Sequence, residues 1–294
     1  MAQTPNLADV HTPPADIGHL LERGQETLRR FSDTARLDAE LLLAHILEQT
    51  RAWLSAHREV CPPTERVERY QDFIRRRAQG EPIAYLTGGR EFWSLPLTVT
   101  PDVLVPRPET ELAVERCLAL CGTRPANVAD LGTGSGAIAL ALAHERPTWQ
   151  IVATDRSDAA LQVAQRNAAR LGLRGIRFAR GDWLQALTST GQPSLDLIVS
   201  NPPYVAAGDP HLIDLKYEPA LALTPGASGM EALEAILRAA PPYLVPGGWL
   251  VLEHGHDQRE KLAGALEAAG YARVRCHTDL AGQDRVTEAQ WPDA

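Results

Sequence analysis

Apolar residues recur at helical spacing through the first quarter of the chain. Between residues 16 and 80, positions such as Ile17, Leu20 and Leu28 follow one another on a helical stripe, which predicts amphipathic helices. Pro62-Pro63 interrupts the pattern, and a further helix then ends in three arginines. Short connections between such helices favour a small antiparallel bundle. The segment contains no evident nucleophile, base or set of metal ligands, so we assign it no chemistry.

A second pattern, alternation with a period of two, follows between residues 81 and 105. Phe92, Leu95 and Leu97 alternate with other residues after Gly88-Gly89, a turn signal, and this predicts a hairpin linker. The first fifteen residues carry neither pattern and are expected to be a mobile tail. The predicted organisation is therefore a tail (1–15), a helical bundle (16–80), a hairpin linker (81–105) and a second domain (106–294).

After Thr123, short apolar strands alternate with helices. The predicted strands cover residues 127–131, 150–155, 176–180, 195–200, 249–253, 272–277 and 285–290, with helices at 109–120, 136–145, 158–171 and 229–240. Alternating strand–helix units predict the α/β class, with a doubly wound, mostly parallel, seven-stranded sheet of the Rossmann-like type. A short glycine-containing loop joins the last two strands, so we expect the sheet to end in a hairpin with an antiparallel edge strand.

Charge and cysteine content narrow the classes of function. The formal net charge is −8, whereas tight nucleic-acid binders usually carry a basic face. The acidic total favours a protein or small-molecule substrate, and no direct nucleic-acid partner is expected. Arginines 75–77 would suit RNA, but a solvated helix C-terminus accounts for them as well. The four cysteines have no zinc-binding spacing, which predicts no metal site and fits a reducing cytoplasm. No apolar run approaches the roughly 18 residues that cross a bilayer, so no membrane partner is expected.

A glycine-rich turn joins the first predicted strand of this region to its helix. It reads Asp130-Leu131-Gly132-Thr133-Gly134-Ser135-Gly136-Ala137. The first two glycines remove side chains where the backbone turns and approaches a ligand, and Gly136 lets the helix start close by. Asp155, at the end of the next strand, can accept hydrogen bonds from two ribose hydroxyls. The same letters satisfy the dinucleotide pattern G-x-G-x-x-A, so a nicotinamide- or flavin-dependent oxidoreductase remains an alternative, as does a purely structural turn.

Three features favour S-adenosylmethionine as the cofactor of this turn. Asp130 opens the loop and can position the ammonium group of the methionine moiety. Asp182-Trp183 ends the third strand, where the edge and face of an adenine could be read. The fourth strand runs directly into Asn201-Pro202-Pro203-Tyr204, at the sheet edge where doubly wound folds bind ligands.

The tetrapeptide predicts chemistry on a planar amide- or amine-type nitrogen. The Asn201 side-chain oxygen and the Pro202 carbonyl can accept hydrogen bonds from both N–H groups, and Pro203 helps fix where that carbonyl points. Tyr204 can stack on the planar group, and Asn201 is also expected to contact the cofactor. Alignment of the nitrogen with the methyl group then supplies most of the acceleration. A strand that simply ends in a proline-containing turn could have the same four residues, so a purely structural role for the tetrapeptide is the alternative.

With these motifs in place, the chain resembles the PrmC/HemK family, the glutamine methyltransferases that modify peptide chain release factors. The resemblance spans roughly residues 20 to 286. Beyond the glycine turn and the tetrapeptide it is carried by GEPIAYLTGGREFW (80–93), VPRPETE (105–111), YEPAL (217–221) and DLAGQDR (279–285).

The resemblance implies a class I methyltransferase fold and S-adenosylmethionine as the cofactor. It also implies that the methylated residue is the glutamine of the factor's Gly-Gly-Gln loop and that the helical bundle helps to dock the factor. The tetrapeptide alone leaves an alternative, an amino methyltransferase that acts on adenine or guanine of nucleic acid, because such enzymes carry related tetrapeptides.

Overall fold

The computed structural model describes residues 15–188 and 194–293. The chain divides into two units, Met1–Thr87 and Gly88–Ala294. Nearly all of the tail predicted at residues 1–15 lies outside the described residues. The boundary between the units falls inside the segment predicted as a single linker, so the hairpin belongs to the second unit.

The first unit is helical, as its apolar spacing predicts. Its helices are α1 (Ile17–Leu28), α2 (Ala35–Leu47), α3 (Arg51–Ala56), α4 (Thr64–Ala78) and α5 (Ile83–Thr87). Asp16 caps α1 by accepting a hydrogen bond from the backbone of His19 at 2.7 Å, and α4 begins directly after Pro63. The apolar stripes of the helices meet in one core that includes Leu21, Leu42, Leu43, Ile46, Tyr70 and Phe73. Helix α5 was not predicted from the sequence.

The second unit is built on a sheet, which has seven strands among the described residues. The strands that form it are β3 (Asn127–Leu131), β4 (Gln150–Asp155), β5 (Ile176–Arg180), β6 (Leu195–Ser200), β7 (Leu244–Glu253), β8 (Ala272–Thr278) and β9 (Asp284–Gln290). Their order is β5-β4-β3-β6-β7-β9-β8. Pairs from β5 to β7 are parallel, and β9 is antiparallel to both of its neighbours. The predicted doubly wound sheet is confirmed.

The end of the sheet differs from the prediction in one respect. The last two strands do form an antiparallel hairpin, but β9 lies between β7 and β8, so the edge strand is β8, which runs in the same direction as β7. Residues 286–289 of β9 are buried, whereas β8 contains no buried residue and carries Arg273 and Arg275. The buried Glu288 of β9 accepts a hydrogen bond from Arg116 at 2.9 Å, and the exposed arginines of β8 suit an edge that faces water.

Helices cover both faces of this sheet. They are α6 (Glu111–Cys121), α7 (Ala137–Glu145), α8 (Asp158–Leu171), α9 (Gln185–Thr188), α10 (Ala220–Leu223), α11 (Glu231–Ala239) and α12 (Arg259–Ala268). Successive strand residues alternate between two cores, so that Val128 packs into one and Ala129 into the other. Cys117 and Cys121 are buried in the first core, and burial raises the pKa of both thiols.

A two-residue turn closes the hairpin of β1 (Gly89–Phe92) and β2 (Leu95–Thr98). The turn is Trp93-Ser94, at φ angles of 52° and 56°, and not the Gly88-Gly89 pair that the sequence suggested. Non-glycine residues seldom adopt this conformation. Hydrogen bonds to two carboxylates stabilise it, because the Trp93 backbone donates to Glu111 at 2.8 Å and its indole to Glu145 at 2.9 Å.

Asn167 of α8 joins the hairpin to the glycine-rich turn. Its side-chain oxygen accepts from the Thr98 backbone N–H at 2.8 Å, and its amide nitrogen donates to the carbonyls of Thr98 at 2.9 Å and Ser135 at 3.0 Å. The side chain is fully buried, so water cannot replace it as a partner. One asparagine therefore satisfies three backbone groups in two separate loops.

We predict that Asn167→Ala lowers the free energy of unfolding of the second unit by about 2–4 kcal/mol, because several buried backbone groups lose their partners. Urea denaturation followed by tryptophan fluorescence measures the change. Gln165→Ala, an exposed position on the same helix, is the matched control and should leave stability within about 0.5 kcal/mol. Equal effects of the two substitutions would contradict the prediction.

Candidate active site

A cavity of about 400 Å³ opens at the carboxyl edge of the sheet, within the second unit. Such a volume suits a small-molecule ligand. Five of the six predicted cofactor residues of the glycine-rich turn line it, and so do Asp155, Asp182-Trp183 and Asn201, since each lies at or just after the end of a parallel strand. The exception is Gly136, which does not line the cavity. Further walls come from Asp102–Leu104, Pro106, Arg107 and Thr110, from Pro219, Leu221, Ala222, Thr224 and Pro225, and from Glu231, Ala232 and Ala235 of α11.

Glycine is required at two positions of the loop. Gly132 has a φ of +71°, and a Cβ there would lie 3.2 Å from the ring of Trp183. Gly136 has a φ of +88°, and a Cβ there would lie 2.9 Å from Leu140 and 3.2 Å from Ala164 of α8. The first glycine gives the backbone its turn beside the indole, and the second lets α7 pack close to α8.

Asp130 presents an unpartnered carboxylate oxygen at the cavity. The residue is buried, and its Oδ2 accepts from the Thr133 hydroxyl at 2.6 Å and from the Ala139 backbone at 3.1 Å. Its Oδ1 has no hydrogen-bond partner among the described residues. Burial raises the pKa of Asp130 to about 6, and the Thr133 and Ala139 hydrogen bonds oppose the rise. A buried acceptor of this kind fits a positively charged ligand group such as an ammonium.

Asp155 holds the loop and still has acceptor capacity. Its Oδ2 accepts from the Gly134 backbone at 3.0 Å and its Oδ1 from the Ser157 backbone at 2.9 Å. A carboxylate offers about four lone-pair sites, so each oxygen can accept another hydrogen bond from a hydroxyl. Burial raises the pKa of this carboxyl as well.

Asp182 and Trp183 form another wall of the cavity. Asp182 is exposed, and Trp183 is half-buried with a φ of +47°. The ring of Trp183 stands over Gly132, and both residues line the cavity. An aromatic face and a carboxylate thus lie at one side of the same pocket.

A hydrogen bond that the sequence did not predict orients the side-chain amide of Asn201. Its Nδ2 donates to the hydroxyl of Thr110 at 3.1 Å, which leaves Oδ1 as the free acceptor of the group. Asn201 and Pro203 line the cavity, and the Pro202 side chain is buried. No described residue donates a hydrogen bond to the Pro202 carbonyl. Both acceptors expected from the sequence thus lack a donor among the described residues, but Pro202 itself does not line the cavity.

Tyr204 lies beside the cavity and does not line it. Its ring packs on the second core, and its hydroxyl donates to Oε1 of Glu253 at 3.3 Å. Its backbone carbonyl accepts from Gln258 at 3.0 Å. A Cβ at Gly229 would approach that carbonyl to 2.4 Å, so the chain passes close by at that point. The tetrapeptide is thus fixed on several sides.

Three residues that the sequence did not single out for the site complete it. Thr110 and Glu253 contact the tetrapeptide, and Glu218 connects two walls of the cavity. Glu218 accepts from the Val105 backbone at 3.0 Å and from the Arg107 guanidinium. Thr110 and Glu218, like Arg107, lie in segments that carry the family resemblance, and that resemblance was the sequence signal available for them. The sequence carried no signal for Glu253, since it is a single acidic residue at the end of an apolar strand.

No group of three or more residues suited to hold a metal ion occurs in the described parts of the chain. The described helices also include none long and apolar enough to span a bilayer.

The sheet order, the glycine loop and the strand-end asparagine together define a methyltransferase with a Rossmann-like fold. Family models agree: the PrmC N-terminal domain matches residues 19–88, and the methyltransferase small domain matches residues 113–214. Solved structures agree on the fold. A methyltransferase from Pyrococcus furiosus has a TM-score of 0.51 at 20% identity and covers 68% of this chain and 90% of its own. The RsmC methyltransferase of T. thermophilus, with AdoMet and guanosine, has a TM-score of 0.51 at 22% identity over 69% and 49%.

Curated relatives narrow the class further. The release factor glutamine methyltransferase of Coxiella burnetii is 47% identical over 266 residues, which is 90% of this chain and 95% of that protein. The enzyme of the same name from Escherichia coli K12 is 45% identical over 258 residues, 87% and 92% respectively. The chain belongs to the release factor glutamine methyltransferase family.

Buried carboxyls at this site should make stability depend on pH. The pKa of Asp130 is raised from 3.8 to about 6, so its contribution to stability is present below about pH 4 and is lost as pH rises through about 6. We predict that Asp130→Asn reduces the fall in melting temperature between pH 4 and pH 7 measured without ligand. Glu267→Gln, an exposed position on α12, should retain the full fall. Identical pH profiles for wild type and Asp130→Asn would contradict the assignment.

Proposed function

We propose that the chain transfers a methyl group from S-adenosyl-L-methionine to the side-chain amide nitrogen of the glutamine in the Gly-Gly-Gln motif of peptide chain release factors. The observation that carries the proposal is the geometry of Asn201, whose Nδ2 is bound by Thr110 while Oδ1 stays free at the cavity. The names of relatives about 45–47% identical over most of the chain support the substrate.

The residues of the cavity fit S-adenosylmethionine. The unpartnered Oδ1 of Asp130 would hold the ammonium group, and the two oxygens of Asp155 would accept from the ribose hydroxyls. Asp182 and Trp183 would receive the adenine. The backbone of Gly132, Thr133, Gly134 and Ser135 would border the cofactor, while Gly136 would act indirectly by letting α7 pack close to α8. When bound, the cofactor supplies an electrophilic methyl group on a sulfonium. The charges of the site suit a cationic ligand.

The tetrapeptide would orient the substrate amide. Its nitrogen is a poor nucleophile because its lone pair is delocalised into the carbonyl. Acceptors at Asn201 Oδ1 and the Pro202 carbonyl would bind both N–H groups and turn the lone pair toward the methyl group. They would also stabilise the positive charge that develops on nitrogen. Pro203 lines the cavity and is proposed to bound the space for the planar group. Tyr204, whose ring packs on the second core, would hold the tetrapeptide in place and not stack on the substrate as the sequence suggested.

The partner of this reaction would be a protein, the release factor, and the cytoplasm its compartment. The first unit, which matches the PrmC N-terminal domain model, would supply docking surface for that protein. Nucleic-acid amino methyltransferases remain the alternative to test, because the shared fold does not separate the two classes.

Labelled methyl transfer onto purified release factor tests the proposal directly. The label is expected on the glutamine of the Gly-Gly-Gln motif after peptide mapping. A release factor in which that glutamine is replaced by alanine is the matched control and should stay unlabelled. Transfer to RNA or DNA, with none to the release factor, would favour the alternative.

We predict that Asn201→Ala lowers the single-turnover rate of methyl transfer roughly a hundredfold or more, while cofactor affinity stays within a few-fold. The bond from the substrate N–H to Oδ1 tightens as nitrogen gains positive charge, so its loss is felt in the transition state. Asn201→Asp keeps an acceptor and should retain more activity than Ala. Near wild-type turnover by Asn201→Ala would exclude the mechanism, and calorimetry reports cofactor binding separately.

We also predict that a shortened protein starting at Gly88 binds S-adenosylmethionine as the full chain does but methylates the release factor poorly at limiting substrate. The cavity is lined entirely by residues of the second unit, whereas docking is assigned to the first. A short Gly-Gly-Gln peptide should be modified with similar efficiency by both forms. Full activity of the shortened protein on the intact factor would contradict the assignment of docking.

A further inference from the structure

Gln258 is a buried polar residue close to the candidate active site but not part of its walls. It immediately precedes α12, whose Leu262 and Leu266 are buried in the second core. Its relative exposure is 6%, and it does not line the cavity. A buried amide needs hydrogen-bond partners for its polar atoms, so the partners of Gln258 show which parts of the chain its side chain connects.

The side-chain amide of Gln258 holds backbone groups from three segments. Its Nε2 donates to the carbonyl of Tyr204 at 3.0 Å and to the carbonyl of Gly229 at 3.2 Å. Its Oε1 accepts from the backbone N–H of Gly255 at 2.8 Å. All three bonds agree with one orientation of the amide, because the nitrogen donates twice and the oxygen accepts. The side chain thus joins the end of the tetrapeptide to the segment before α11 and to the loop after β7.

The backbone at Gly229 leaves room for this contact. Its φ is +77°, and a Cβ there would lie 2.4 Å from the Tyr204 carbonyl oxygen and 2.9 Å from Nε2 of Gln258. Any side chain at this position would therefore push the carbonyl or the amide away. Glycine lets the three segments meet around one amide.

The Tyr204 carbonyl lies at the far end of a stiff piece of backbone. The near end is Ser200, which is paired on both sides within the sheet. The two prolines of the tetrapeptide fix their own φ angles, and Asn201 and Pro202, each followed by a proline, are restricted to extended conformations. With few free rotations in between, holding both ends sets the direction of the groups that lie between them.

We propose that Gln258 is a positioning residue of this active site, which holds the carbonyl of Tyr204 and so fixes the backbone that carries Pro202. The inference rests on the proposed function of the tetrapeptide, in which the Pro202 carbonyl accepts one N–H of the substrate amide. Thr110 orients the other acceptor, Oδ1 of Asn201, so each acceptor has its own support. Gln258 lines no part of the cavity and is not a catalytic residue.

Gln258→Met tests the inference, because methionine keeps the length of the side chain but has no N–H group. We expect single-turnover methyl transfer to the release factor to slow by roughly tenfold or more, since a misdirected acceptor misaligns the amide nitrogen with the methyl group. The Kd for S-adenosylmethionine and the KM for the release factor should stay within about threefold. A role in stability alone would lower the melting temperature and leave the rate of the folded protein unchanged.

Gln290→Met is the matched control for this substitution. Gln290 also donates from Nε2 to a backbone carbonyl, that of Gly247 at 2.8 Å, but in the first half of β7, away from the tetrapeptide. Its replacement should lower the melting temperature and leave the rate of methyl transfer at the wild-type value.

Gly229→Ala reaches the same carbonyl from another direction, because its methyl group would displace the carbonyl of Tyr204. It should also slow transfer. The double variant with Gln258→Met should be little slower than the slower single variant, since both changes act on one contact. Gly208→Ala is the control: Gly208 has a φ of +90°, and a Cβ there would meet no described atom within 4 Å. It carries similar backbone strain without the collision and should keep its rate.

A wild-type rate for folded Gln258→Met would overturn the inference. So would a cofactor affinity that falls as far as the rate, since that would indicate a general disturbance of the site. If Gln258→Met does not fold, a slower rate for Gly229→Ala than for Gly208→Ala would support the inference, and equal rates would overturn it. Failure of wild type to methylate the release factor would count against the proposed function, and transfer to nucleic acid would then supply the same comparison of rates.

Discussion

The register of three parallel strands is the constraint on which the site depends. Leu131 of β3 pairs with Thr154 of β4 on one side and with Ser200 of β6 on the other. Because parallel strands end at a common edge, this register alone brings the glycine loop, Asp155 and Asn201 around one cavity. A shift of one residue in any of these strands would turn its functional side chain to the opposite face. Residues buried in two cores, one on each face of the sheet, hold that register.

Carboxyl groups are placed in this site at a cost to the fold. Asp130 and Glu253 are both almost fully buried, and both have raised pKa values, so each destabilises the folded state at neutral pH relative to a protonated form. Asp130 finds only part of its partners in the protein, which leaves affinity for a ligand to supply the rest. Folding leaves this carboxylate oxygen without a partner, so a bound cation can gain the electrostatic interaction that the protein itself does not supply.

Most of the fold was predictable because its sequence signals are local. The exceptions are features that depend on tertiary contacts. Apolar strands at regular spacing gave the sheet, whereas α12 was missed because it buries only Leu262 and Leu266 among its ten residues. Strand β7 begins at Leu244, earlier than predicted, and its first half was missed because Pro246-Gly247-Gly248 interrupts the apolar run.

The turn at Trp93-Ser94 contradicts residue propensity, and carboxylates from distant helices stabilise it. The contacts of Asn201 with Thr110 and of Tyr204 with Glu253 join segments far apart in sequence. No periodic pattern in the sequence reveals such pairs. The sequence could therefore point to Asn201 and Tyr204 as site residues but not to the side chains that orient them.

Glu218 fixes one wall of the cavity through two separate hydrogen bonds. One side chain, 3% exposed, holds the backbone of Val105 and the guanidinium of Arg107, and so ties together two segments that line the same cavity. Any movement that parted these segments would have to break both hydrogen bonds at once and leave a buried charge without its partner. The relative position of these two segments therefore depends on an ion pair, and a substitution of Glu218 would change the shape of the cavity although Glu218 does not line it.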